Sequence, residues 1–229
     1  MDSNPFLNLL KRGSNVAGSA ALVLLCVHLY AAFFVAPEEV VQGAIQRIFY
    51  VHVPAAVNAF LAFIVAGIGS VAYLWNRGRA WDATAVASAE VGVFWGAIVL
   101  ITGPLWAKPV WGAWWTWDAR LTSTLILWLT FVAYRLVREL AGGGEKGARF
   151  AAILAIVGTL NIPFVRISTE KFRTLHPGNV AKAGLDPTMH KVLFLGMGTF
   201  FLFTLFLLGK RILLEELRDR RLAIELEGS

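Results

Sequence analysis

The sequence predicts an all-α, polytopic integral membrane protein with six transmembrane helices and both termini in the cytoplasm. Three observations lead there. Hydrophobic residues make up 57% of the 229 and charged ones 16%, against about 25% charged in an ordinary soluble domain. The apolar residues gather in six blocks, near 16–36, 53–75, 90–107, 121–137, 149–165 and 191–209. Each is long enough, or nearly so, for a hydrocarbon core that takes roughly 20 helical residues. Of the 21 Lys and Arg, 8 fall in the connections on one side: Arg47, Lys108, Arg120, Arg166, Lys171, Arg173, Lys182 and Lys191. The other 13 lie on the side of both termini, and the richer side is expected in the cytoplasm. The blocks are continuously apolar rather than alternating, which suits helices and not the strands of a barrel.

The first block is too long for a cleaved signal peptide and is expected to remain as a span. It carries Cys26, the single cysteine, so no disulfide forms within the chain. No C-x-x-C-H motif occurs, and any haem would be held without thioether bonds. His28 lies in mid-span between Val27 and Leu29. A polar side chain at that depth is either functional or satisfied by a neighbouring helix.

Span two is entered through RIFYVHVPAA. Pro54 fits a helix start and puts His52 near the membrane surface. Span three holds Pro104 and span five Pro163, each expected to kink its helix near the outer end. Between spans three and four the chain reads VWGAWWTWDAR. On a helix, Trp111, Trp114, Trp115 and Asp118 would share one face and Trp117 would point aside. Asp118 is also well placed to cap span four. GGGEKG at 142–147 lacks the spacing of a phosphate-binding loop and reads as a flexible cytoplasmic turn. In the last outer loop, TLHPGN puts His176 on a bend made by Pro177 and Gly178. His190 opens span six and is a reserve ligand. Residues 1–209 then form the membrane domain, and 210–229 an amphipathic cytoplasmic tail.

The polar, aromatic and histidine-bearing segments thus collect in the outer loops 37–52, 108–120 and 166–190. Two imidazoles from separate loops beside an indole-rich segment suit a haem, whose iron accepts a nitrogen on each axial side. Large flat side chains match the macrocycle, and Arg grips anionic propionates bidentately. Arg47, Arg120, Arg166 and Arg173 are the candidates. Four tryptophans at a span end also make an interfacial belt, and the residues alone leave both readings open.

The run TGPLWAKPVWGAWWTWDARLTST resembles the tryptophan-rich "WWD" signature of haem-handling membrane proteins. With RIFYVHVPAA, NIPFVRISTEKFRTLHPGN and six spans, the chain is similar to the CcmC family of cytochrome c maturation proteins. The resemblance implies non-covalent haem b bound at the outer face of a bacterial inner membrane. His52 and His176 would be the axial ligands. Trp111, Gly112, Trp114, Trp115, Trp117, Asp118 and Arg120, with Arg47 and Arg173, would surround the macrocycle. It further implies delivery to the periplasmic haem chaperone CcmE, with the ABC-type subunits CcmA and CcmB and the small protein CcmD as partners. Neither nucleic acid nor turnover of a small substrate is expected. The alternative is a haem transporter or permease subunit of an ABC-type complex. A b-type cytochrome would place its ligand pair inside the spans, and a haem lyase of this superfamily would be larger.

Overall fold

The computed structural model describes residues 5–141, 144–176 and 185–227. It contains α1 (Pro5–Tyr30, closing in a π turn Ala31–Val35), α2 (Phe49–Asn76), α3 (Arg79–Trp111), α4 (Ala119–Leu140), α5 (Gly144–Lys171) and α6 (Pro187–Glu227). A 3-10 turn at Ala44–Ile48 leads into α2. All six helices are long and apolar enough to cross a membrane. No strand is present among the described residues.

α2 packs along α3, α4 along α5, and α1 along α6. α2 occupies the middle, where it also meets α5 and α6. Its inner face carries Ala55, Ala59, Ala62 and Ala66 at helical spacing, all buried. Small residues suit this role, because helices in lipid associate by close packing rather than by escape from water. Phe63 fills the space they leave. Its ring stacks on Phe131 of α4 at 4.1 Å, and a Cβ on Gly92 of α3 would come within 2.4 Å of it.

One chain of polar groups crosses the inside of the bundle. Trp95 Nε1 of α3 donates to Thr204 Oγ1 of α6 at 2.8 Å. Thr204 stands 2.7 Å from Asn58 Oδ1, and Asn58 Nδ2 donates to the Pro54 carbonyl at 2.9 Å. Hydrocarbon offers no water to replace such partners, so the Trp95–Thr204 and Thr204–Asn58 bonds hold α3, α6 and α2 together.

The helices outrun the apolar blocks. α3 continues to Trp111, α5 to Lys171, and α6 passes residue 210 without a break. Pro104 and Pro109 of α3, and Pro163 of α5, are accommodated inside their helices. The bundle therefore has two unlike ends. One carries the α2–α3 and α4–α5 connections and a set of ion pairs. The other carries the segment before α2, the tryptophan segment and the approach to His176.

Candidate functional site

The tryptophan segment is a bent linker, which corrects the expectation of a single helical face. α3 stops at Trp111 because Gly112 takes a left-handed conformation, φ 77° and ψ −5°. A residue without Cβ adopts it at no steric cost. The Gly112 N–H bonds the Lys108 carbonyl at 3.0 Å, and Lys108 Nζ donates to the Gly112 carbonyl at 2.9 Å. α4 begins at Ala119 because Asp118 caps it. Asp118 Oδ1 accepts from the Arg120 and Leu121 N–H groups at 3.0 Å each, and Oδ2 accepts from Thr116 Oγ1 at 2.9 Å. Between those two stops Trp114, Trp115 and Trp117 are released from helical registry.

The linker arches over a cavity of about 200 Å³ between α2, α3 and α4. His52 reaches it from α2, Trp106 and Trp111 from α3, Trp114 and Trp115 from the linker, Arg120 from α4, and His176 from the segment after α5. The two imidazoles face each other with ring centres 6.5 Å apart and planes at 40°. Two imidazoles on one metal ion, each bonded at about 2 Å, put their ring centres roughly 6 Å apart. The observed 6.5 Å between ring centres is close to that separation.

His52 is held in place from α3. Its Nδ1 lies 2.9 Å from Thr102 Oγ1, and Thr102 spends its own proton on the Ile98 carbonyl at 2.7 Å. The hydroxyl therefore accepts from Nδ1–H, which leaves Nε2 as the atom with a free lone pair. Trp106 meets the His52 ring edge-on at 5.9 Å and is fixed by donation to Gln42 Oε1 at 2.8 Å. On the other side Trp111 lies 6.4 Å from the His176 ring. A Cβ at Gly103 would come within 3.5 Å of His52 Cε1, so the helix behind the imidazole is close.

The remaining candidates separate into groups. Arg120 lines the cavity; its Nη1 reaches the Val165 carbonyl and Thr169 Oγ1 only at 3.5 Å, leaving donors for an anion. Arg47 pairs with Glu38 at 3.7 Å, Arg166 with Glu170 at 3.9 Å, and Arg173 is exposed; none of the three lines the cavity. Trp117 is 77% exposed, touches Trp115 edge-on at 5.8 Å and does not line the cavity. Trp115 Nε1 is buried without a hydrogen-bond partner among the described residues. His190 turns back toward the Asp186 carbonyl, 3.3 Å from Nδ1, and does not line the cavity. His28 bonds a carbonyl of α2 instead of joining the pair. Pro177, Gly178 and Lys182 lie outside the described residues.

Sequence reasoning missed Gln42, Thr102, Gly103 and Trp106. Thr102, Gly103 and Trp106 sit inside or at the edge of an apolar block, where a wall of the site looks like ordinary span. The signal was there: Val99, Gly103, Trp106 and Val110 recur at helical spacing, with polar Thr102 beside them.

Aligned with known families, residues 1–226 match the model of CcmC, heme exporter protein C. The chain belongs to the CcmC family. It is 38% identical over 189 residues to the heme exporter protein C of Bradyrhizobium diazoefficiens, spanning 80% of this chain and 70% of that one. With the protein of the same name from Escherichia coli K12 it shares 34% over 206 residues, 88% of this chain and 84% of the other. The Paracoccus denitrificans protein is 36% identical over 195 residues, 83% and 80% of the two chains. In this CcmC-family chain the paired imidazoles, the cavity and three of the linker and helix-end tryptophans thus occupy one end of a six-helix bundle.

Proposed function

We propose that this CcmC-family chain holds haem b non-covalently at its aromatic end, facing the periplasm, and presents it to the haem chaperone CcmE during c-type cytochrome biogenesis. The observation that carries the reading is the His52–His176 pair, with ring centres 6.5 Å apart over Trp106 and Trp111. The relatives' printed name, heme exporter protein C, agrees with haem as the cargo. His52 and His176 would hold the iron through their ring nitrogens, and the indoles would give the porphyrin flat contact. Arg120, which lines the cavity, would hold a propionate, and Trp115 Nε1 would offer a second donor.

Cofactor pockets usually enclose about 300–1,000 Å³, and this cavity is about 200 Å³. A macrocycle larger than the cavity would extend past the linker and leave an edge for a chaperone. His52 stands in α2 with its Nδ1 proton engaged by Thr102, whereas His176 follows α5 outside any helix. We assign His52 as the fixed ligand and His176 as the one that lets go on transfer. Partners CcmA, CcmB and CcmD would act on the loaded chaperone rather than on this cavity.

A permease reading would require a route through the bundle. Its middle is filled by the Phe63–Phe131 stack at 4.1 Å and the Trp95–Phe200 stack at 4.8 Å, which favours presentation at one end. The test is the optical spectrum of purified protein in both redox states. His52→Ala should abolish the bis-histidine spectrum and most of the bound haem. His176→Ala should keep haem on His52 in altered form. Unchanged spectra and haem content in both variants would overturn the ligand assignment.

A further inference from the structure

His28 is fully buried and is not among the residues lining the cavity, yet it touches the helix that carries His52. Its Nε2 lies 3.0 Å from the Tyr50 carbonyl oxygen. A carbonyl can only accept, so Nε2 bears the proton and donates it. Tyr50 stands four residues before Pro54, inside α2. In an uninterrupted helix the N–H of residue 54 would bond that carbonyl, but proline has no N–H. The gap that Pro54 opens in the ladder of α2 is filled from α1.

The imidazole has little freedom to do otherwise. A Cβ on Gly196 of α6 would fall within 2.5 Å of His28 Cε1, and the Phe200 ring meets it edge-on at 6.0 Å and 82°. One side chain therefore joins α1, α2 and α6. His52 lies between the two residues concerned, Tyr50 and Pro54. Its backbone is pinned from α1 through Tyr50, while its ring is pinned from α3 through Thr102. An unfilled carbonyl in an apolar bundle is costly enough that the first turns of α2 would shift to find another donor.

We infer that His28 is a positioning residue for His52: by donating to the carbonyl that Pro54 orphans, it sets the course of the first turns of α2 and hence the angle at which His52 faces His176. The inference rests on the haem reading above.

A double-mutant cycle on full-length protein tests it, using His28→Leu, His28→Gln, Pro54→Ala and the His28→Leu/Pro54→Ala pair. Hydrogen–deuterium exchange of amides 49–56 in haem-stripped protein reads the clamp. Low-spin bis-histidine signal and the rate of haem loss to apomyoglobin read the ligand. His28→Leu should speed haem loss about tenfold and divert part of the signal to high spin. His28→Gln, which still donates, should stay near wild type. Pro54→Ala restores the backbone N–H to Tyr50, so adding His28→Leu should then change haem loss by less than about twofold.

The inference is overturned if His28→Leu leaves spectrum and loss rate unchanged, or speeds haem loss equally with and without Pro54→Ala. It is also overturned if amide exchange quickens while the haem signal does not move. Should His28→Leu fail to fold, wild-type spectra in His28→Gln support the clamp and loss of the low-spin signal there sinks it. Failure of the haem reading is distinct: His52→Ala would keep the wild-type spectrum whatever the exchange data show, and the inference would fall with it.

Discussion

The two ends of the bundle use their polar side chains in opposite ways. At the end bearing the α2–α3 turn, charges are paired across helices. Arg138 of α4 grips Asp82 of α3, Glu90 of α3 holds both Arg135 of α4 and Arg211 of α6, and Arg77 stands 3.8 Å from Glu145. Each acid meets its cation between helices, and the arrangement locks α3, α4 and α6 together. At the aromatic end His52, His176 and Arg120 line a shared cavity instead, while Arg47–Glu38 and Arg166–Glu170 pair outside it. His52 and His176 face each other, and Arg120 is held only by long contacts. Buried or half-buried groups that satisfy one another stabilise a fold, whereas groups that converge on a cavity are poised for a ligand. The difference separates the scaffold from the site on physical grounds alone.

Substitutions at the two ends should therefore have different consequences. The largest effect is expected from His52→Ala with His176→Ala, which should cut retained haem by well over tenfold and remove the bis-histidine Soret band, measured on purified protein. Thr102→Val comes next. It keeps the shape but leaves Nδ1–H of His52 without an acceptor, and partners of this kind are worth about 10–100-fold in metal affinity. Haem loss should accelerate toward that range while the circular dichroism is unchanged.

Arg138→Ala probes the opposite end. Removing one partner of the half-buried Arg138–Asp82 pair should cost roughly 1–3 kcal/mol, read as a lower thermal midpoint with the haem spectrum intact. A change in the spectrum would show that the two ends are coupled. The smallest effect belongs to Trp117→Ala. Because Trp117 does not line the cavity, haem content should stay within about twofold of wild type, whereas Trp111→Ala beside His176 should lower it more.

Much of the fold is legible in the amino-acid sequence. Six apolar blocks become six helices, and the candidates His52, His176, Trp111, Trp114, Trp115 and Arg120 all line one cavity. Three things are not legible there. The helical face drawn through Trp111, Trp114, Trp115 and Asp118 does not exist, because Gly112 and Asp118 end and start helices within seven residues. Arg47 and Arg173 share the right side of the chain with Arg120 but not the cavity, since charge and loop membership do not say where a side chain reaches. Trp106 and Thr102 are hidden in a span because their role depends on what faces them.

What the sequence determined alone is the number and kind of elements. In hydrocarbon every backbone group must be bonded within its own segment, so an apolar run of spanning length has almost no alternative to a helix. The start of α4 was equally local, written in the capping aspartate Asp118. What only the tertiary structure decided is which polar groups meet. His52 and His176 come from opposite halves of the chain, and His28 reaches the gap left by Pro54 from a third helix. Such meetings follow from the packing of α2 against its neighbours, where alanines and glycines set the distance between helix axes. Packing is a property of pairs of surfaces, and no single stretch of sequence carries it.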